Sequence, residues 1–434
     1  LSLALVSAFP SQLPNDEDAS RVWQLRRQLI GVALKAGDYR TAYAAATNHG
    51  LTTGTDYTEA EFYAGWIALS KLHDAAAADA HFANIQRAGA SPITLARADY
   101  WRGRAADARG DRTAANGFYR QGGQYLTTFY GQLSAEKTGL TRLSLGRDPV
   151  PTTADQAQFE GRDLVRAARM LAQLGDRELL RTFVLAAADS MPTAEQEALL
   201  VDLARGYGDQ DLAMRVVRLA AQHGFVLPER GYPIRMLQAT PQAAESAIVF
   251  GITRQESSFD PTARSGVGAR GMMQLMPQTA RAVAQRVGEP FDASMLNDPD
   301  YNMRLGSFYL GHLIDDFSGS YLLATAAYNA GPGRPADWAS YCGDPRTSSV
   351  DPVDFIECIP FSETRNYVMR VLEATEVYRA RLNGGSAPML LSQDLKRGGY
   401  VYGGPPLAPL PTGSDPIGDL IDASTTGSAG PQSQ

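Results

Sequence analysis

The 434-residue chain is predicted to be all-α, an N-terminal superhelix of helical hairpins leading into a second, mainly helical domain. Three observations predict this. From Asp16 to about Gly224 the sequence is rich in alanine, lacks alternating β-branched runs, and spaces its apolar residues as one face of a helix, as in Phe62, Trp66, Leu69 and Leu72. Gly-Asp pairs recur at Gly37-Asp38, Gly110-Asp111, Gly175-Asp176 and Gly208-Asp209. In each pair the glycine suits the left-handed residue that ends one helix and the aspartate suits the N-cap of the next. Beyond Pro233 the composition shifts towards Gly, Met and Asn in irregular stretches between helices, the mark of a compact domain whose loops carry chemistry.

The helical half reads as a degenerate repeat. The last two Gly-Asp pairs lie 33 residues apart, and Phe62-Tyr-Ala-Gly65 resembles Tyr100-Trp-Arg-Gly103 at an offset of 38. Stacked helical hairpins have such periods. The polar, Pro-containing stretch Gly146 to Asp155 and the break Leu227 to Pro233 divide the chain. The expected domains are a superhelix over 1–145, a helical linker over 146–227, a catalytic domain over 228–383 and a flexible Gly/Pro/Ser-rich tail over 384–434.

Composition excludes several classes of function. With 40 Lys plus Arg against 47 Asp plus Glu the net charge is −7, and no long basic run occurs, so a general nucleic-acid binder is excluded. At 44% apolar and 20% charged residues the chain can bury real cores. No run of about 18 apolar residues occurs, so no membrane-spanning helix is expected, and the protein is expected to be soluble. Because it starts at Leu1 rather than Met, the chain is expected to be a trimmed or mature form from which any export signal has gone. Cys342 and Cys358 are too few and wrongly spaced for a zinc finger, leaving one disulfide or two buried thiols.

The chemistry concentrates in four segments. Gln242 to Ser257 reads as one helix in which Ala244, Ile248 and Ile252 form an apolar stripe, and one further step of four lands on Glu256. A carboxylate on an apolar face tends to hold its proton, which is what a general acid needs. The plainer alternative is that Glu256 caps a helix end or pairs with Arg254 or Arg270 at the surface. Gly266, Gly268 and Gly271 have the spacing of a dinucleotide loop, but Asp260-Pro261-Thr262 precedes them as a turn where a strand is required. A loop giving a ligand close access to backbone fits better. Asp298-Pro-Asp300-Tyr-Asn302 opens like a calcium loop, yet Met303 and Tyr309 stand where Gly and Glu are needed, so a helix N-terminus is expected instead. Tyr328-Asn329 precede a glycine turn, and Ile359 to Arg365 starts the last helix, with Ser362 as N-cap and Glu363 in its first turn.

The segments RQESSFDP, SGVGARGMMQLMP, AYNAGPGR and IPFSETRNYV follow one another over residues 254–368. Together they closely resemble the catalytic domain of the soluble lytic transglycosylases, peptidoglycan-cleaving enzymes with a lysozyme-like fold. SPITLARADYWRGRA and TTFYGQLSAEK resemble, more weakly, the superhelical domain of that family. The resemblance implies that Glu256 is the single catalytic acid and base, and that the bond between N-acetylmuramic acid and N-acetylglucosamine is cut without water to leave 1,6-anhydro ends. It implies places around the cleft for Ser257, Gln274, Met276, Tyr328, Asn329, Glu363 and Tyr367, with peptidoglycan glycan strands as partner and no cofactor or metal. A periplasmic setting follows, in which Cys342 and Cys358 are expected to form a disulfide. A hydrolysing muramidase on the same fold and a scaffold that only grips glycan or protein are the alternatives.

Overall fold

The computed structural model describes residues 6, 8–10, 12–89, 91–237 and 243–398. The chain divides into two compact units, one of residues 1–141 with 337–362, the other of residues 142–336 with 363–434. Among the described residues no helix is long and apolar enough to cross a membrane.

The first unit is a succession of antiparallel helices: Asp16–Lys35, Tyr39–Ala46, Gly54–Ser70, Ala75–Ala88, Pro92–Ala108, Arg112–Gly122 and Phe129–Lys137. Its joints have the predicted chemistry. Gly37 and Gly110 adopt φ of 72° and 77°, and Asp38 and Asp111 accept the backbone N–H of Thr41 and Ala114. The same joint recurs where it was not predicted, at His73-Asp74, with His73 at φ 58° and Asp74 capping Ala77. The resemblance between Gly65 and Gly103 has a packing reason. A Cβ on Gly65 would come within 2.5 Å of the Phe82 ring, and one on Gly103 within 2.4 Å of the Tyr119 ring. Each glycine therefore gives room for an aromatic ring of the following helix. Phe62, Phe82 and Trp101 form a buried triangle with ring centroids 5.7 to 6.0 Å apart.

Residues 337–362 belong to this unit although they interrupt the catalytic motifs. Cys342 and Cys358 are disulfide-bonded with Cα atoms 5.9 Å apart. Asp354 accepts from Trp66 Nε1 at 2.9 Å, Ser70 at 2.7 Å and Arg104 at 2.9 Å. Glu357 accepts from Arg97 at 2.7 Å and from the Tyr130 hydroxyl.

The second unit opens with five helices, Thr153–Glu160, Asp163–Leu174, Arg177–Ala188, Ala194–Gly206 and Gln210–Gln222, around a core that includes Phe159, Val184, Leu200 and Val216. Gly175 and Gly208 again take φ of 75° and 73°, with Asp176 and Asp209 capping the next helices. Two readings are corrected here. The first half is not purely helical: Arg142–Ser144 pairs antiparallel with Ser386–Pro388, with Leu143 opposite Ala387 and both side chains buried. Residues 384–398, placed by the sequence in the flexible tail, carry this strand and the short helix Leu391–Asp394, with Leu391 and Leu395 buried. Four buried apolar side chains, Ala387, Met389, Leu391 and Leu395, and an ion pair from Asp394 to Arg379 at 2.5 Å hold a segment whose overall composition hides them. The rest of the predicted tail, 399–434, lies outside the described residues.

Candidate active site

Helix Ser246–Ser257 runs through the core of the second unit, with Ala247 to Thr253 all buried. The predicted start at Gln242 lies outside the described residues, and Ala244 precedes the helix. Ile248 and Ile252 do face the core, with no solvent exposure. A Cβ on Gly251 would meet the Val371 carbonyl at 2.9 Å, so glycine lets the last long helix, Ser362–Leu382, cross here. Immediately after Glu256 the chain reverses. Ser258 and Phe259 both take left-handed φ, 56° and 67°, each costing on the order of 1 kcal/mol without the freedom of glycine. Phe259 offsets part of that cost by burial against Phe250 and Tyr378, with ring centroids 6.1 and 6.4 Å away.

The Glu256 carboxyl is thus presented at a helix end, partly buried. Neither arginine pairs with it: Arg254 lies over the Tyr232 ring and donates to the Gly231 carbonyl at 2.9 Å, and Arg270 donates to the Ala293 carbonyl at 3.2 Å. Instead the Tyr367 hydroxyl donates to Glu256 Oε1 at 2.5 Å. Burial pushes the Glu256 pKa up, the Tyr367 bond pulls it down, and the Glu363 charge raises it again, leaving it at about 7. Asp260, the nearest carboxylate in sequence, is occupied in capping Thr262 N at 2.7 Å. The arrangement can give up a proton near neutral pH and take one back.

The glycine loop lies beside this carboxyl as a tight hairpin, Arg270 and Leu275 exchanging backbone hydrogen bonds at 3.0 and 3.1 Å. Gly271 has φ 75°, and a Cβ there would come within 2.1 Å of the Leu296 carbonyl. The loop is pinned from three sides. Ser257 Oγ donates to the Met272 carbonyl at 2.7 Å, Tyr328 donates to the Met273 carbonyl at 2.8 Å, and Gln274 Nε2 donates to the carbonyls of Ala263 and Gly271 at 3.1 and 2.8 Å. The fully buried Asn302 adds three more bonds, to Met273 N, Arg270 O and Leu296 O, at 2.8 to 3.0 Å. Asn302 belongs to the segment that opens like a calcium loop. Asp298 indeed caps helix Pro299–Asp316, as expected, and Asn302 serves as the clamp of the loop. Among the described residues no group of three or more His, Cys, Asp or Glu side chains could hold a metal ion.

The remaining residues assemble from two helix ends. Tyr328, near the end of helix Tyr321–Ala330, packs against Tyr309 with ring centroids 5.4 Å apart, and burial and the Glu256 charge hold its hydroxyl pKa well above the ordinary value. Next to it, Asn329 Oδ1 accepts from the Thr364 hydroxyl at 2.7 Å. Thr364 and Tyr367, three residues apart, lie on one face of the last long helix. One reaches Asn329 and the other Glu256. Glu363 is exposed in the first turn, and Met276 is partly buried at the N-cap of helix Pro277–Val287. The structure therefore gathers Glu256, Tyr328, Asn329, Glu363 and Tyr367, while Ser257 and Gln274 spend their donors on the loop. The sequence met Asn302 only as part of an expected helix N-terminus, did not single out Thr364, and gave Tyr367 a place around the cleft without its bond to Glu256. The spacing of Thr364 and Tyr367 was the available signal.

Residues 235–350 match the family described as Transglycosylase SLT domain, and residues 358–387 match Soluble lytic transglycosylase helical domain. The soluble lytic murein transglycosylase of Escherichia coli K12 is 28% identical over 271 residues, which are 61% of this chain and 40% of that protein. The protein of that name in Salmonella typhimurium is 41% identical over 135 residues, 31% of this chain and 20% of its own length. The X-ray structure of the lytic transglycosylase Slt of Pseudomonas aeruginosa, an inactive mutant with glutamate replaced by glutamine, aligns with a TM-score of 0.65 at 28% identity, covering 89% of this chain and 61% of that one. The chain spans less than two thirds of the length of each of these proteins. In its ordered motifs, its helical fold and its match to the transglycosylase SLT domain at residues 235–350, the chain is similar to the soluble lytic murein transglycosylases.

Proposed function

We propose that this chain is a lytic transglycosylase that cleaves the bond between N-acetylmuramic acid and N-acetylglucosamine in peptidoglycan, with Glu256 as the only acid and base. The reading rests on a partly buried carboxyl that has one neutral donor, lies in the field of the exposed Glu363, and has a pKa of about 7. In its protonated form Glu256 donates to the glycosidic oxygen as the bond to C1 breaks. The muramic C6 oxygen then bonds to C1 and its proton passes to the Glu256 carboxylate, which restores the starting acid. No water is consumed, and a 1,6-anhydro ring results. A two-carboxylate hydrolase needs a second acidic group to activate water or attack the sugar. Asp260, tied into its turn, offers no such group.

The C6 hydroxyl is part of the substrate, so the main demand on the protein is orientation. Asn329 and the carbonyl oxygen of Gln274 suit the acetamido and hydroxyl groups of the sugars, since amides both donate and accept. Met276 offers an adaptable apolar surface to a sugar face. Tyr367 steadies the carboxylate once the proton has left, Tyr328 and Ser257 act by holding the loop, and Glu363 meets the glycan or its peptide. A periplasmic location follows from the substrate and suits the disulfide. The names of the Escherichia coli and Salmonella relatives and the inactive glutamine mutant from Pseudomonas support this reading. The test is the mass of the products from purified sacculi. Anhydro ends are lighter than reducing ends by one water, about 18 mass units. Reducing ends as the main product would instead identify a hydrolysing muramidase.

A further inference from the structure

The Thr364 hydroxyl is buried in the first turn of the last long helix, where no preceding turn of that helix offers it a carbonyl. It donates to Asn329 Oδ1 at 2.7 Å, and among the described residues nothing accepts from Asn329 Nδ2. A side-chain amide has one acceptor atom and one donor atom, so a bond that occupies the oxygen fixes which way the group faces. Asn329 is partly exposed beside Tyr328, which lies in the field of Glu256, and one turn from Thr364 the Tyr367 hydroxyl holds Glu256 itself. We infer that Thr364 is a positioning residue that commits Asn329 to act as a donor, so that the cleft selects a sugar with a carbonyl acceptor, the N-acetyl group, over one with a bare ammonium.

This inference rests on the glycan-cleaving reading above and names the chemistry of one contact within it. Without the Thr364 hydroxyl the amide has no reason to keep its nitrogen towards the sugar, and half of its orientations present an oxygen instead. An oxygen facing the acetamido carbonyl makes an unfavourable contact, whereas the same oxygen facing a sugar NH₃⁺ makes a favourable one. Thr364→Val keeps the shape and removes the donor. Thr364→Ser keeps the donor and removes only a methyl group.

The experiment measures binding by calorimetry in the Glu256→Gln background, where no turnover intervenes, using chitotetraose and its fully N-deacetylated counterpart as probes. The parent should prefer the acetylated probe. Adding Thr364→Val should cut affinity for it on the order of tenfold, the worth of one well-made hydrogen bond, with little change for the deacetylated probe. Thr364→Ser should restore the parent's preference. With Glu256 intact, Thr364→Val should lower kcat/KM on sacculi without moving the alkaline limb of the pH profile, which general damage around Glu256 would shift. Asn329→Asp provides a test that does not depend on the Val variant folding. Its second oxygen should reverse the preference towards the deacetylated probe. If Val keeps the parent's discrimination, Ser behaves like Val, or Asp leaves the preference unchanged, the inference is overturned. Loss of the proposed reaction appears separately, as absence of anhydro products from the intact protein.

Discussion

Glu61 in the first unit and Glu256 in the second are the same residue, each with its pKa pushed up by burial, and they end at opposite extremes. Glu61 is buried and receives hydrogen bonds from His49 at 3.3 Å, His81 at 2.6 Å and Asn84 at 3.0 Å. Burial raises its pKa, but the bonds and the His81 charge more than offset that and take it down to about 2. Glu256 is also raised by burial, but it has a single tyrosine hydroxyl and, nearby, another negative charge, and its pKa goes up to about 7. The number and charge of donors, more than the depth of burial, decide the outcome. The same contrast holds elsewhere in the first unit. Asp354 and Glu357 are each held by an arginine as well as neutral donors, Trp66 and Ser70 for Asp354 and Tyr130 for Glu357, and serve to tie segment 337–362 into that unit. A carboxyl with enough donors holds structure together. One left short of donors keeps a proton to transfer.

This contrast can be broken most severely at Glu256. Glu256→Gln removes both proton transfers, and release of products from sacculi should fall well beyond the roughly 10²- to 10⁴-fold expected for one acid-base function. In the wild type the rate should drop as pH rises through about 7, because only the protonated form begins the reaction. Steady-state rates between pH 5 and 9 check both statements, and a wild-type rate that keeps rising past pH 8 would contradict the assignment.

Stability should move in opposite directions at the two glutamates. The folded pKa of Glu61 is depressed, so its contribution is present above the unfolded value of 4.5 and lost as pH falls through about 2. Glu61→Gln should therefore destabilise the protein at pH 7 by about 3 kcal/mol, a deficit that shrinks in acid. The folded pKa of Glu256 is raised, so the favourable protonated state is complete below 4.5 and is lost as pH rises through about 7. Glu256→Gln should accordingly gain up to about 3 kcal/mol over the wild type at pH 8 and nothing at pH 4. Denaturant melts of both variants across pH measure this, and parallel pH trends would show that donor count does not separate the two sites.

Replacing Cys342 and Cys358 by serine opens a loop of sequence separation 16 and should cost on the order of 3 kcal/mol, read as an earlier denaturant midpoint. The smallest effect is expected from Tyr367→Phe. Removing the one donor should raise the Glu256 pKa further and shift the alkaline limb to higher pH, while the rate at neutral pH falls roughly tenfold because the carboxylate is less well held. A limb that moves to lower pH would mean that the hydroxyl supports the protonated form.

Much of the local structure was legible because its causes lie within a few residues. All four Gly-Asp joints form as read, since a left-handed glycine followed by a capping aspartate is a matter of adjacent backbone groups. The joint at His73 escaped notice because a histidine occupies the left-handed position there, at an energetic cost that sequence pattern does not register. Ile248 and Ile252 lie in the core as the helical period requires, which is how Glu256 stood out.

The partners of those residues were decided by packing. Tyr367 reaches Glu256 across 111 positions of sequence and Asn302 reaches Met273 across 29, distances over which no periodicity carries information. The assignment of residues 337–362 to the first unit depends on Asp354 and Glu357 finding Trp66, Arg97, Arg104 and Tyr130, more than 220 residues away. The sequence by itself determined the helices, their stops and the place of the Glu256 carboxyl at the end of an apolar stripe, because hydrogen bonds and side-chain spacing within a turn act locally. Only the tertiary structure decided how many donors each buried carboxyl receives, because those donors are brought together by the collapse of distant helices onto one another, and that number separates an ion-paired clamp from a proton donor.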